Sequence, residues 1–175
     1  TGSGQAASAS LSPIAFGAVT SGQSLSMSAT LANTGVGPVA VTLPAVVEGS
    51  DAFVVEGSTC PTVLAAGISC TVTVKYTASG TAAANGMLKV ATSAGELSAA
   101  LSGQSQQALL SVSPTSIDFG DVQVGQSKTS ADITVSNSGN VSVTGLALPS
   151  ATGITVTSAS SGTSCTAGGT VAAGG

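Results

Sequence analysis

A period of two in the apolar residues is the feature that most limits what this chain can fold into. The segment Thr71–Thr77 places Val72, Val74 and Tyr76 on one face and polar side chains on the other. Residues 132–136 alternate in the same way. Such alternation is typical of antiparallel strands with one buried and one solvent-exposed face. The sequence therefore predicts an all-β protein.

Turn residues divide the chain at short intervals. The candidate turns are Asn33–Gly35, Asn85–Gly86, Ser93–Gly95 and Asn137–Gly139. We find no run of helical spacing with a capping residue. Short strands separated by regular turns indicate antiparallel β-sandwiches or barrels.

The chain also repeats itself. Three groups of residues recur about one hundred residues further along, close to the usual length of a sandwich domain. Leu11-Ser12-Pro13 with Phe16-Gly17 recurs as Val112-Ser113-Pro114 with Phe119-Gly120, Asn33-Thr34-Gly35 as Asn137-Ser138-Gly139, and Cys60 with Ala65-Ala66-Gly67 as Cys165 with Ala172-Ala173-Gly174. One structural unit is therefore predicted to occur twice.

The repeat sets the expected domain organisation. Residues 10–104 are predicted to form a complete sandwich, and residues 109–175 a second one that lacks its last strands. Residues 1–9 are interpreted as a linker from a preceding repeat, and residues 105–108 as the linker between the two sandwiches. We expect the chain to be part of a longer tandem array. The alternative is that a neighbouring subunit donates the strands that the second sandwich lacks.

The repeated motifs form an ordered series that resembles a known family. The series contains Ser-Pro…Phe-Gly, Val-x-x-Gly-Gln-Ser, Asn-Thr/Ser-Gly, Phe-Val-Val…Cys, Leu-Ala-Ala-Gly-Ile-Ser-Cys-Thr-Val-Thr-Val-Lys-Tyr and Leu-Ser-Gly. It resembles the bacterial choice-of-anchor D repeat, an abnormal-spindle/hydin-type (ASH) immunoglobulin-like domain. The resemblance implies tandem immunoglobulin-like antiparallel β-sandwiches. It also implies a surface-exposed or secreted bacterial protein built from many domains.

The cysteines suggest a covalent clip. Cys60 and Cys70 enclose a short loop between two predicted strands, and a disulfide there would stabilise the fold by about 2–3 kcal/mol. Two buried thiols or half of a metal site are the alternatives. We expect the disulfide, which indicates an oxidising, extracytoplasmic compartment. Cys165 is interpreted as half of a second clip whose partner lies outside this chain.

Catalytic constellations are not apparent. The chain has no histidine, which excludes a Ser-His-Asp triad within it. Lys75 and Lys89 lie in predicted strands in which polar and apolar residues alternate. Their side chains are expected to point to solvent. Glu48, Asp51 and Glu56 could form a carboxylate pair or ligate calcium, but an ordinary solvated loop is the preferred interpretation. We therefore expect a protein that is not an enzyme, with no cofactor and no metal.

The net charge and the hydropathy limit the kinds of molecule that the chain is expected to bind. A net charge of −4 argues against nucleic acid, and no segment approaches the roughly 18 apolar residues of a membrane span. Only 6% of the residues are charged and the mean hydropathy is +0.51. This combination suggests that neighbouring repeats or identical subunits cover part of the surface.

Three functional hypotheses follow. The leading one is a structural module of a stalk, fibre or filament on a bacterial cell surface or outside the cell. The second is an adhesin or carbohydrate-binding module that contacts a surface glycan or protein. The third is a phage virion decoration or tail-fibre domain. Ser158–Ser164 could carry O-linked sugar or be a polar loop.

Overall fold

The structure is a computed structural model, which describes residues 6–157 and 165–175. The chain divides into two compact units, Thr1–Gln106 and Gln107–Gly175. Every regular element assigned in the described residues is a β-strand. The predicted all-β class is therefore confirmed.

Unit 1 is a two-sheet sandwich. Its strands, in chain order, are β1 (Ala9–Leu11), β2 (Ile14–Thr20), β3 (Ser24–Asn33), β4 (Val39–Gly49), β5 (Phe53–Ser58), β6 (Val63–Leu64), β7 (Ser69–Thr77), β8 (Ala83–Thr92) and β9 (Gly95–Gln106). One sheet has the order β1-β3-β7-β5, and the other has the order β2-β9-β8-β4-β6. The neighbouring strands β1 and β2 thus belong to different sheets.

The strand pairs of unit 1 are antiparallel with one exception. The first strand of the second sheet, β2, runs parallel to the last strand, β9, with Ile14 opposite Leu101 and Thr20 opposite Gln106. A register shift interrupts this pairing between Ala15 and Ala18.

The core lies between the two sheets. The alternation in β7 is borne out, since Val72, Val74 and Tyr76 are all buried. Tyr76 packs against Phe16 and Phe53, with ring centroids 5.5 and 5.2 Å away. Most other core residues are aliphatic, so these rings are the largest side chains that the core contains.

The predicted turn at Asn85–Gly86 is wrong. Both residues lie inside β8, opposite Ser102 and Leu101 of β9. A Cβ atom at Gly86 would lie 2.9 Å from the Glu48 carbonyl oxygen and 3.1 Å from the Phe53 ring. The glycine therefore serves close packing within a strand rather than a turn.

The described residues of unit 2 form four short strands, β10 (Leu110–Ser113), β11 (Thr134–Asn137), β12 (Val143–Thr144) and β13 (Thr170–Val171). They form two separate antiparallel pairs, β10–β11 and β12–β13. In unit 1, the strands β7, β8 and β9 occupy interior positions of the two sheets.

Candidate functional site

A disulfide links two adjacent segments of one sheet in unit 1. It joins Cys60, just after β5, to Cys70 in β7, with the two Cα atoms 4.9 Å apart. Both residues are buried. The threonines beside them are also joined, because the Thr59 amide donates to the Thr71 carbonyl at 2.9 Å. Disulfides are typical of proteins that fold in oxidising compartments, which agrees with an extracellular protein.

A buried asparagine holds the loop that the disulfide encloses. The Asn33 side-chain amide donates to the carbonyls of Gly37 and Leu64, both at 2.9 Å. Its side-chain oxygen accepts from the Gly35 amide at 3.0 Å. The Asn33 backbone amide donates to the Ile68 carbonyl at 3.0 Å. Asn33 is 2% exposed. Its polar atoms therefore form hydrogen bonds within the protein in place of hydrogen bonds to water.

Unit 2 contains the same arrangement around Asn137. The Asn137 side-chain amide donates to the carbonyls of Val141 and Val171, at 2.8 and 3.4 Å. Its side-chain oxygen accepts from the Gly139 amide at 3.0 Å, and its backbone amide donates to the Gly175 carbonyl. Each of these residues matches, in the sequence repeat, the residue bound by Asn33. The two units therefore share one internal hydrogen-bonding pattern.

This asparagine pattern was not predicted from the sequence. The local sequence indicates only turns at Asn33 and Asn137, because Asn-x-Gly is a common turn sequence. The repetition of Asn-x-Gly in both units was the available signal. Nothing in the local sequence indicated that the side chains would be buried.

The candidate carboxylates do not form one site. Glu48 lies in β4, 2.8 Å from Lys89, and Lys89 also lies 3.5 Å from Glu96. Glu56 lies in β5, in the other sheet, 3.5 Å from Lys75. The expected solvated loop is therefore wrong for Glu48 and Glu56, which sit in strands beside lysines. The hydrogen bond to Glu48 raises the pKa of Lys89 despite an opposing effect of desolvation.

No group of three or more potential metal ligands comes together within the described residues. Across the same part of the chain, no helix has the length and apolarity to cross a membrane. Cys165 is partly buried in unit 2, and its predicted role as half of a clip stays a prediction. The possible sugar-bearing segment Ser158–Ser164 and the start of the predicted linker, residues 1–5, lie outside the described residues.

The aromatic rings of unit 1 are internal. Phe16, Phe53 and Tyr76 are at most 5% exposed, and rings buried in this way present no face on which a sugar could stack. Burial raises the pKa of the Tyr76 phenol. In unit 2, Phe119 is only partly buried.

Comparison with protein-family models and with curated protein sequences gives no match. Among solved structures, the chain is similar to the secreted serine protease VesC from Vibrio cholerae, with 23% identity and a TM-score of 0.46 over 54% of this chain and 22% of that chain. It is similar to the VesB protease of the same organism, with 21% identity and a TM-score of 0.41 over 58% of this chain and 32% of that chain. The ASH/PapD-like domain 7 of human CEP192 shares 17% identity with a TM-score of 0.39 over 58% of this chain and 87% of that domain.

These similarities concern the fold. The chain spans about a fifth of the length of VesC and about a third of VesB. The two packed sheets of unit 1 make its fold an all-β sandwich.

The prediction that the protein is not an enzyme requires correction. Two of the similar structures are named proteases, and these matches contradict the prediction. The 175 residues contain no histidine, so a Ser-His-Asp triad could not be completed by this chain alone.

Proposed function

We propose that this chain is a structural repeat segment of a bacterial extracellular or cell-surface protein, of the choice-of-anchor D type, in which immunoglobulin-like units follow one another in a stalk or fibre. The observation that carries the proposal is the shared pattern around Asn33 and Asn137. In both units a buried asparagine binds the same three backbone positions of its own repeat. Proteins built from repeats reuse one unit in this way.

The disulfide supports a location outside the cytoplasm. A core made mainly of aliphatic residues and three rings gains additional stability from a covalent clip. Such a bond persists outside the cytoplasm, where thiols are not kept reduced. The partners implied by the proposal are neighbouring repeats of the same protein.

The location is tested by labelling cells of the source organism with an antibody raised against unit 1. Intact cells should label as strongly as permeabilised cells, because the antibody does not cross a membrane. An antibody against a cytoplasmic protein serves as the control for cell integrity. Labelling that requires permeabilisation would refute the proposed location.

The repeat arrangement is tested by the intact mass of the native polypeptide, measured under denaturing conditions before and after reduction. A mass far above 16.3 kDa, with further copies of the Asn-x-Gly and Cys motifs in its peptides, is the expected result. A native polypeptide of 16.3 kDa would contradict a long array. Cys60 and Cys70 should take up an alkylating agent, with the corresponding gain in mass, only after reductant is added.

A further inference from the structure

Unit 1 has several unpaired strand edges, among them the outer sides of β2, of β5 and of part of β3. We call residues Ser24–Ser28 of β3 the β3 edge. On one side, β3 pairs with β7 along its whole length from Ser24 to Ala32. On the other side, β1 pairs only with Leu31–Asn33, and Ser12 binds Thr30. No described residue forms a backbone hydrogen bond to the β3 edge on that side.

The backbone of the β3 edge is oriented for pairing. Thr30 directs both its amide and its carbonyl toward Ser12 on the open side. Because backbone groups of alternate residues point to the same side of a strand, the amides and carbonyls of Ser28, Ser26 and Ser24 also point outward. The edge therefore presents a row of donors and acceptors that another strand can bind.

Apolar side chains accompany this row. Leu25 and Met27 are 41% and 39% exposed, although their partners in β7, Tyr76 and Val74, are 1% and 0% exposed. Leu25 and Met27 alternate with the serines and share the face of β3 that becomes fully buried at Ala29. A further strand paired with the β3 edge would bury more of the Leu25 and Met27 side chains.

The β3 edge lacks the features that usually prevent edge pairing. Natural edges carry lysine, proline or a bulge, whereas Ser24–Ser28 contains no charge and no proline, and its pairing with β7 has no register shift. One charged side chain contacts the edge: Glu56 accepts a hydrogen bond from the Ser26 hydroxyl at 2.6 Å. Lys75 lies 3.5 Å from Glu56 and offsets its charge.

The sequence of the edge is self-complementary. Ser24-Leu25-Ser26-Met27-Ser28 has the same order of polar and apolar residues in both directions. Two copies aligned antiparallel about a two-fold axis at Ser26 would place Ser26 opposite Ser26, Ser24 opposite Ser28, and Leu25 opposite Met27. A two-fold interface requires this kind of self-complementary surface.

We propose that the β3 edge is the docking surface for the β3 edge of a second copy of this chain. The serine pairs at the edge then exchange two backbone hydrogen bonds each, as hydrogen-bonded antiparallel pairs do. Leu25 and Met27 of the two copies form adjacent apolar pairs. The contact joins two β1-β3-β7-β5 sheets into one continuous sheet. So short an interface gives weak, concentration-dependent association. The proposal is independent of the proposed function.

The test uses charged substitutions whose effect depends on the pairing register. Ser24→Lys/Ser28→Lys places lysines opposite each other in both outer pairs, whereas Ser24→Lys/Ser28→Glu places lysine opposite glutamate. Both variants lose the same hydroxyl contacts to Thr77 and Thr73, so each is a matched control for the other. Sedimentation equilibrium of the full chain over a wide concentration range gives the dimerisation constant. Tyr76 fluorescence verifies that unit 1 is folded.

We expect the wild-type chain and the lysine–glutamate variant to dimerise. The dimerisation constant of the double-lysine variant should be at least about tenfold weaker than that of the wild-type chain. The reason is that two pairs of like charges face each other in its dimer. Mixing the double-lysine variant with Ser24→Glu/Ser28→Glu should restore dimers through opposite charges. Equal association of the double-lysine and lysine–glutamate variants would place the dimer contact elsewhere and overturn the proposal. A wild-type chain that stays monomeric at every concentration would also overturn it.

Discussion

Removing the Cys60–Cys70 disulfide should lower the free energy of unfolding of unit 1 by a calculable amount. The two cysteines are 10 residues apart, and the chain-entropy relation for a loop of this size gives about 2.7 kcal/mol at 25 °C. Reduction of the wild-type protein removes the cross-link but keeps both sulfur atoms. Cys60→Ala/Cys70→Ala also removes the buried sulfur atoms, so it should cost somewhat more because packing is lost as well.

The protein contains its own probe for this measurement. It has one tyrosine and no tryptophan, and Tyr76 is buried in unit 1 against Phe16 and Phe53. Tyrosine fluorescence during urea denaturation therefore reports unit 1 separately from unit 2. Cys165→Ala is the matched control, since Cys165 belongs to unit 2 and its replacement should leave the transition unchanged.

The outcome that refutes this reasoning is an equal urea midpoint for the oxidised and reduced wild-type protein. It would mean that the cross-link does not restrict the unfolded chain, for example because that loop is already compact after unfolding. A loss that appears only in the alanine variant would assign the effect to packing and not to the cross-link.

Three further results are expected. Asn33→Ala leaves buried carbonyls of Gly37 and Leu64 without their donor and should destabilise unit 1 by about 3 kcal/mol in urea denaturation; a loss below about 1 kcal/mol would show that water replaces the side chain. Gly103→Ala places a Cβ atom 2.7 Å from the buried Tyr76 ring and should lower stability by about 1–3 kcal/mol, measured as a reduced Tm, whereas an unchanged Tm would contradict the close contact. Because burial raises the pKa of Tyr76, the unfolded chain loses the phenolic proton first, and stability should fall as pH rises above about 10. Tyr76→Phe should make this alkaline fall shallower in circular dichroism melts, and an identical pH profile would contradict the assignment.

The strand content was predictable because strand periodicity is local. The alternation in Thr71–Thr77 identifies β7 and its buried face without knowledge of its neighbours. The glycine in Asn85–Gly86 misled the prediction for the opposite reason. Its function depends on Phe53 and Glu48, which reach it from other strands, so a local pattern could not distinguish close packing from a turn.

The asparagine pattern and the β3 edge depend on tertiary structure in the same way. Asn33 becomes buried because the loop containing Leu64, closed by Cys60 and Cys70, folds over it. The open side of Ser24–Ser28 arises because the chain crosses from one sheet to the other after β1. Neither the position of the loop nor the crossover can be predicted from Asn33 or Ser24–Ser28 alone.

The parallel pairing of β2 with β9 has a mechanical consequence. These are strands near the two ends of unit 1, and they run in the same direction. Tension applied along the polypeptide across this unit therefore pulls them past each other lengthwise, so their hydrogen bonds share the load and must rupture together. In the antiparallel β8–β9 hairpin, a force that separates the two open ends would instead break the bonds one after another. Stretching unit 1 between its two ends therefore loads the β2–β9 hydrogen bonds in shear.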